Sequence, residues 1–170
     1  MPNNPLVFAI VTFFHDLFTA LWIGGLLMMA TTVMPATLKT LGRSGEAKRV
    51  LNAIQIRLSR WTYISIVGLA VTGMLLGRRA GATGLFQFGT PYQVALSIKH
   101  LLYLLMIALA LVRSLYLARP SVGPRPRPSA EHLSTRERLS AAVMMLNVAL
   151  GIVVLFLSTY LAALSLPGPA

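Results

Sequence analysis

Four long apolar runs dominate the 170-residue chain and constrain its fold more than any other feature. They cover residues 6–37, 61–77, 93–112 and 139–166, and none contains more than two charged or histidine side chains. A helix that crosses the hydrocarbon of a bilayer needs about 20 apolar residues, within a range of roughly 17–25. Lipid tolerates only helices and closed barrels, and the runs lack the alternation of barrel strands. The sequence therefore predicts an all-α, integral membrane four-helix bundle.

The composition supports a membrane protein and narrows its chemistry. Only 11% of the residues are charged, whereas soluble domains carry about 25%, so a water-soluble globule is excluded. The chain has no cysteine, which excludes disulfides, thiolate metal sites, cysteine-ligated iron–sulfur clusters and covalently attached c-type haem. The first run is too long for the apolar core of a secretory signal, so we expect it to be a retained helix. We expect residues 1–170 to form a single domain.

The basic residues predict the orientation of the bundle. The chain has a formal charge of +11, and 12 of its 15 lysines and arginines follow the first or the third apolar run. By the positive-inside rule, both termini lie outside, on the periplasmic side of a bacterial inner membrane. Attraction to anionic lipid at the cytoplasmic face accounts for the charge without nucleic acid. Further expected partners are subunits of a membrane complex or copies of the same chain.

Two cytoplasmic segments are predicted to have distinct structures. Residues 119–129 contain four prolines, which rule out a helix and predict an extended linker. Between residues 48 and 60, apolar side chains recur at helical spacing among basic ones. That pattern predicts a helix lying in the membrane interface.

The ionisable residues inside the apolar runs are the candidates for a functional site. They are His15, Asp16, Lys99 and His100, and such side chains are costly in a membrane and mark function by default. The first and third helices run parallel, and both histidines lie roughly 10–14 Å below the predicted outer ends of their helices. Two imidazoles at one depth can ligate a single haem iron from opposite faces. This hypothesis makes His15 one axial ligand of haem b and His100 the second.

Other residues complete the hypothetical haem site. Trp22 shares the helical face of His15 and would form an aromatic wall of the pocket. Lys99 is expected near the haem propionates, together with Arg60 or Arg113. Lys99 and His100 point about 100° apart on their helix, and the sequence does not decide which of them faces inward. Lys99 pairing with Asp16, and snorkelling of Lys99 or Arg113 to the interface, are the structural alternatives.

Three functions are compatible with these residues. In the first, the haem b protein transfers electrons or oxidises a membrane-accessible substrate. In the second, His15 and His100 bind copper together with Met29 or Met106, for transport or delivery across the inner membrane. In the third, the chain is a non-catalytic accessory subunit of a larger respiratory or photosynthetic membrane complex. No catalytic residue is predicted.

Several of these residues form patterns that resemble a known family. His15, Trp22 and the Gly24–Gly25 pair form an H-x6-W-x-G-G pattern in the segment HDLFTALWIGGLL. The second run, in RLSRWTYISIVGLAVTGMLLG, begins after Ser59–Arg60 and contains Thr72–Gly73. With the lysine of SIKHLLYLLM, these features resemble the membrane domain of the copper-resistance D (CopD) family.

The chain is also similar to the HemJ-type protoporphyrinogen oxidases, which are four-helix haem-binding membrane proteins. This second resemblance involves His15, Trp22, Gly25, Lys99 and the Leu146–Asn147 pair. Together the two resemblances imply haem b on His15 with Lys99 as a site residue, or copper handling in the periplasmic membrane.

Overall fold

A computed structural model describes residues 4–79, 84–117 and 135–165, and these residues form four long helices. Helix α1 covers Pro5–Leu41, α2 covers Gly45–Arg79, α3 covers Pro91–Val112 and α4 covers Thr135–Leu164. All four are long and apolar enough to cross a membrane, and the described part of the chain contains no strand. The all-α four-helix architecture is thus confirmed, and the chain is a multi-pass membrane protein.

Local sequence signals account for where the helices begin. Asn4 caps α1 by accepting a hydrogen bond from the Leu6 amide at 2.9 Å, and Thr90 caps α3 by accepting from the Gln93 amide at 3.2 Å. A proline follows each of these two capping residues, and its fixed φ suits the first helical position. The turn between α1 and α2 contains Gly42 at φ 60°, a conformation that glycine adopts without steric cost.

Helix α2 is longer than the apolar run that predicted it. It begins at Gly45, whereas the run begins at residue 61. The amphipathic segment between residues 48 and 60 is therefore the first part of α2 rather than a separate interfacial helix. No glycine or proline interrupts residues 46–67, so the helix continues from the basic segment into the apolar one. The proline-rich segment 119–129 lies outside the described residues, and the orientation of the termini remains a prediction from the charges.

The helices associate as two antiparallel pairs, α1 with α2 and α3 with α4. The middle of α1 also packs on α4 and joins the pairs. Glycines permit the closest approaches: a Cβ on Gly68 of α2 would overlap the ring of Phe18 on α1, and one on Gly151 of α4 would lie 3.1 Å from Ile23. Close approach at small residues is the usual way in which helices associate in lipid.

Helix α1 contains two π-helical turns, at Ala20–Gly24 and Met29–Val33. The first places Trp22 and Ile23 in the core of the bundle, and the second buries Met29. Such turns insert a residue into the helical repeat and are frequent at functional sites. The buried apolar core around the first turn consists of Trp22, Ile23, Leu69, Met106 and Val154.

Candidate functional site

His15 lies in the predicted outer half of α1 and hydrogen bonds to the neighbouring helix α2. Its Nδ1 atom is 2.9 Å from Thr72 Oγ1. The Thr72 hydroxyl is in turn 2.7 Å from the backbone oxygen of Gly68, one turn earlier in α2. The imidazole is therefore held by a chain of two hydrogen bonds that ends on the α2 backbone.

The direction of these hydrogen bonds fixes the tautomer of His15. A carbonyl oxygen only accepts, so the single hydroxyl hydrogen of Thr72 is donated to Gly68. Thr72 must then accept from His15, which places the imidazole hydrogen on Nδ1. In the neutral imidazole, the other ring nitrogen, Nε2, then has a free lone pair, which is the form of histidine that binds metals.

Space beside the ring is left open by a glycine. A Cβ on Gly73 of α2 would lie 3.6 Å from His15 Cε1, the ring atom bonded to Nε2. A longer side chain at residue 73 would therefore press on the edge of the imidazole between its two nitrogens. His15 itself is half-buried, within the predicted membrane-spanning part of α1.

Lys99 is the α3 residue whose charge acts on His15. It interacts electrostatically with both His15 and Asp16 of α1. Lys99 is half-buried, whereas Asp16 is exposed. Lys99 and Asp16 therefore act on the imidazole with opposite signs, and their effects partly cancel.

His100, the predicted second ligand, has a different partner. Its Nδ1 atom lies 2.9 Å from the carbonyl oxygen of Leu85, in the segment that precedes α3. The same segment is attached to α3 by Ser97, whose hydroxyl bonds to both the amide and the carbonyl of Gln87 at 2.8 Å. The ring of His100 thus anchors the loop between α2 and α3, whereas His15 is anchored to α2.

Trp22 lies seven residues after His15, about 10 Å further along the helix axis. Its side chain is 1% exposed and packs edge-on against Tyr103 of α3, with ring centroids 5.6 Å apart. The Tyr103 hydroxyl donates to the carbonyl of Ile66 on α2. The Trp22 ring belongs to the core of the bundle and Tyr103 packs against that core, about two helical turns inward of His15.

Arg60 and Arg113 are far from the histidine. Arg60 is exposed and precedes Thr72 by 12 residues, about 18 Å along α2. Arg113 follows Lys99 by 14 residues, about 21 Å along α3, and begins a π-helical turn at Arg113–Leu117. The charge of Lys99 therefore acts on His15 from α3, and Trp22 lies about two turns further along α1. Arg60 lies in the middle of α2 and Arg113 at the end of α3, both far from the imidazole.

Sequence reasoning did not identify Thr72 as a site residue. The signal available was its position on the polar face of the second run, seven residues after Ser65. That spacing predicts only that both side chains face a neighbouring helix. The hydrogen bond to His15 depends on the register between α1 and α2, which the sequence does not state.

Residues that could hold a metal or a haem are limited. The described residues contain no group of three or more His, Cys, Asp or Glu side chains that could hold a metal ion. A haem ligated by two histidines requires imidazoles that face each other, whereas His15 bonds to α2 and His100 to the loop. This arrangement does not fit such a haem, and haem b stays a prediction.

The fold and the site together define a class of protein. It is a multi-pass membrane protein whose four helices enclose an apolar core, with one oriented imidazole in the predicted outer half of the bundle. Residues 52–161 match the family model of copper resistance protein D. Since the match covers more than half of the chain, the protein belongs to the CopD family of copper-resistance membrane proteins.

The family match covers part of the chain, residues 52–161. It begins within α2 and ends within α4, so it includes Thr72 and Lys99 but not His15. The predicted resemblance to the CopD family is thus confirmed, and the relation to the HemJ-type oxidases stays a prediction. No curated protein and no solved structure shows significant similarity to the chain.

Proposed function

We propose that the protein binds copper at His15 and transports or delivers it across the bacterial inner membrane. The observation that carries this proposal is the oriented imidazole, whose Nδ1 bonds to Thr72 and whose Nε2 is free. Membership of a copper-resistance family supports copper as the cargo. Copper is bound here as a substrate in transit, not as a resident cofactor.

The chemistry of copper fits an imidazole backed by a hydroxyl. Imidazole nitrogen is a good ligand for copper, and thioether sulfur is favoured by copper(I). A ligating histidine nearly always donates its second N–H to a fixed acceptor, which sets the ring orientation and raises the basicity of the ligating nitrogen. Thr72 is such an acceptor for His15.

Buried thioether sulfurs provide the next ligands along the bundle. Met106 is 1% exposed, Met29 is 3% exposed and Met144 is fully buried. By contrast, Met28, Met74 and Met145 are all exposed. Met106 belongs to the same core cluster as Trp22, about two helical turns inward of His15, so a copper(I) ion released by the imidazole would meet a soft sulfur ligand further along the bundle.

The charges around His15 suit a transported ion. The Lys99 ammonium repels a cation at Nε2, and the Asp16 carboxylate attracts it. A conducting site must bind its ion strongly enough to admit it and weakly enough to release it. The lysine lowers the affinity that the histidine and the carboxylate would have together.

The orientation required by this proposal follows from the predicted topology. With both termini outside, His15 lies in the outer half of the membrane, where it would receive copper from the periplasmic side. The basic face at the other end of α1 and α2 would then contact anionic lipid on the cytoplasmic side.

Copper titration of the purified protein in lipid nanodiscs tests the proposal. The wild type is titrated with copper(I) in competition with a chromophoric chelator, beside His15→Ala and the matched control His100→Ala. We expect the tightest site to be lost in His15→Ala and kept in His100→Ala. Retention of that site by His15→Ala would contradict the proposal, and a Soret band in the absorption spectrum would favour haem instead.

A further inference from the structure

Three buried polar atoms in the centre of the bundle have no hydrogen-bond partner among the described residues. They are Nε1 of Trp22 on α1, Oγ of Ser65 on α2 and Oδ1 of Asn147 on α4. The three side chains are 1%, 0% and 4% exposed, respectively. Groups this deeply buried are almost always hydrogen-bonded, to protein or to ordered water.

Two of these residues, Trp22 and Ser65, lie in the region around Tyr103 of α3. The Tyr103 ring packs on Trp22 with a centroid separation of 5.6 Å. Its hydroxyl donates to the carbonyl of Ile66, the residue directly after Ser65. Tyr103 therefore contacts both Trp22 and the backbone next to Ser65. Ser65 itself lies one turn before Leu69 on α2, and Leu69 belongs to the core cluster that contains Trp22.

Asn147 joins the same region one turn further along α3. Its amide Nδ2 donates to the carbonyl oxygen of Met106 at 3.3 Å, which leaves Oδ1 as the unpaired atom. Met106 lies in the core cluster that contains Trp22. A methionine side chain is flexible and adapts to irregular space.

The unpaired atoms include both donors and acceptors. The indole nitrogen only donates, the amide oxygen only accepts and the hydroxyl does either. A bare copper ion does not match this set, because an indole N–H offers no lone pair and amide oxygen is a hard ligand. Water matches it, since one molecule accepts and donates hydrogen bonds at the same time and a buried water typically makes about three.

We propose that the bundle binds ordered water at this position, with Trp22 donating to the water and Asn147 and Ser65 completing its hydrogen bonds. The site lies about 10 Å inward of His15, because Trp22 follows His15 by two helical turns. The bound water would form a polar site within the otherwise apolar core of the bundle, inside the membrane. The water site does not depend on the copper proposal.

Magnetic resonance on the indole N–H tests this proposal. The chain has two tryptophans, and Trp61 is exposed, so Trp61→Phe leaves Trp22 as the only indole. In nitrogen-15-labelled protein in nanodiscs, we expect a cross-peak between the Trp22 Nε1 hydrogen and a long-lived water. We expect Asn147→Leu to abolish it and Asn52→Leu, at an exposed position of α2, to preserve it.

A second variant tests the proposal even if Asn147→Leu does not fold. Ser65→Ala removes only a hydroxyl, and we expect it to weaken the water cross-peak while the Trp22 indole resonance stays resolved. Absence of any water cross-peak in the Trp61→Phe protein would overturn the proposal. A cross-peak to a lipid or ligand hydrogen instead, or one unchanged in both Asn147→Leu and Ser65→Ala, would overturn it as well.

Discussion

His15 Nδ1 lies 2.9 Å from Thr72 Oγ1, so a hydroxyl on α2 determines which nitrogen of an imidazole on α1 is free. The bond joins residues 57 positions apart in the sequence. This hydrogen bond forms only when α1 packs on α2 in this register, and it sets the orientation of the imidazole. A shift of one helix along the other would break the bond and release the ring. The orientation of the proposed copper ligand is therefore a property of the helix pair.

Replacing the hydroxyl tests its role in orienting the imidazole. Thr72→Val keeps the shape of the side chain but removes the acceptor, and we expect roughly a 10- to 100-fold loss of copper(I) affinity, the usual effect of removing such a partner. Thr72→Ser keeps the hydroxyl and should keep most of the affinity. Thr31→Val is the control, since Thr31 is exposed and bonds only locally on α1. Equal affinity for Thr72→Val and Thr31→Val, measured by chelator competition, would refute this role.

The charges beside His15 predict opposite effects of two substitutions. Lys99→Gln removes a positive charge that acts on the imidazole, so copper affinity should rise several-fold. Asp16→Asn removes a negative charge and should lower it, because both effects are Coulombic. The same chelator competition in nanodiscs measures both variants. A fall in affinity for Lys99→Gln would show that the lysine supports binding rather than opposing it.

The contact between Gly68 and Phe18 predicts the stability of the α1–α2 pair. The methyl group of Gly68→Ala would overlap the atoms of the Phe18 ring. Overpacking of this kind lowers the free energy of unfolding by about 1–3 kcal/mol. The melting temperature of the detergent-solubilised protein should fall accordingly. Phe18→Leu in the same chain should relieve the overlap, so the double variant should lose less than the sum of the single losses. Strictly additive losses would mean that the two side chains are not in contact.

The loop before α3 depends on one buried hydroxyl. Ser97 is 3% exposed and bonds to both backbone groups of Gln87, so Ser97→Ala leaves these groups without their partner at a cost of about 1–3 kcal/mol. We expect faster amide hydrogen exchange at residues 84–90, measured by mass spectrometry. Exchange within α4 should stay unchanged. Unaltered exchange in the loop would contradict the described attachment.

The helices could be predicted from the sequence because their signals are local. Each apolar run produced a spanning helix, and Asn4 and Thr90 mark two of the starts. The start of α2 was predicted too late, because hydropathy alone marked residue 61 while the amphipathic residues before it already had helical spacing. The helix therefore begins at Gly45, where the turn after Gly42 ends.

The partners of the site residues could not be predicted because they depend on the register between helices. Counting residues from the helix starts placed His15 and His100 at one depth, but it assumed that α1 and α3 begin at the same level and face each other. The structure instead bonds His100 to Leu85 in the loop and turns His15 to Thr72. The shared face of Trp22 and His15 stays a prediction, because it rests on a regular helical repeat and a π-helical turn at Ala20–Gly24 interrupts that repeat.

Copper K-edge X-ray absorption of the copper(I)-loaded protein tests the central claim most directly, because it counts the nitrogen and sulfur atoms bound to the metal. The account predicts an imidazole nitrogen that is present in the wild type and in His100→Ala and is absent in His15→Ala. An imidazole signal that persists in His15→Ala and disappears in His100→Ala would contradict it.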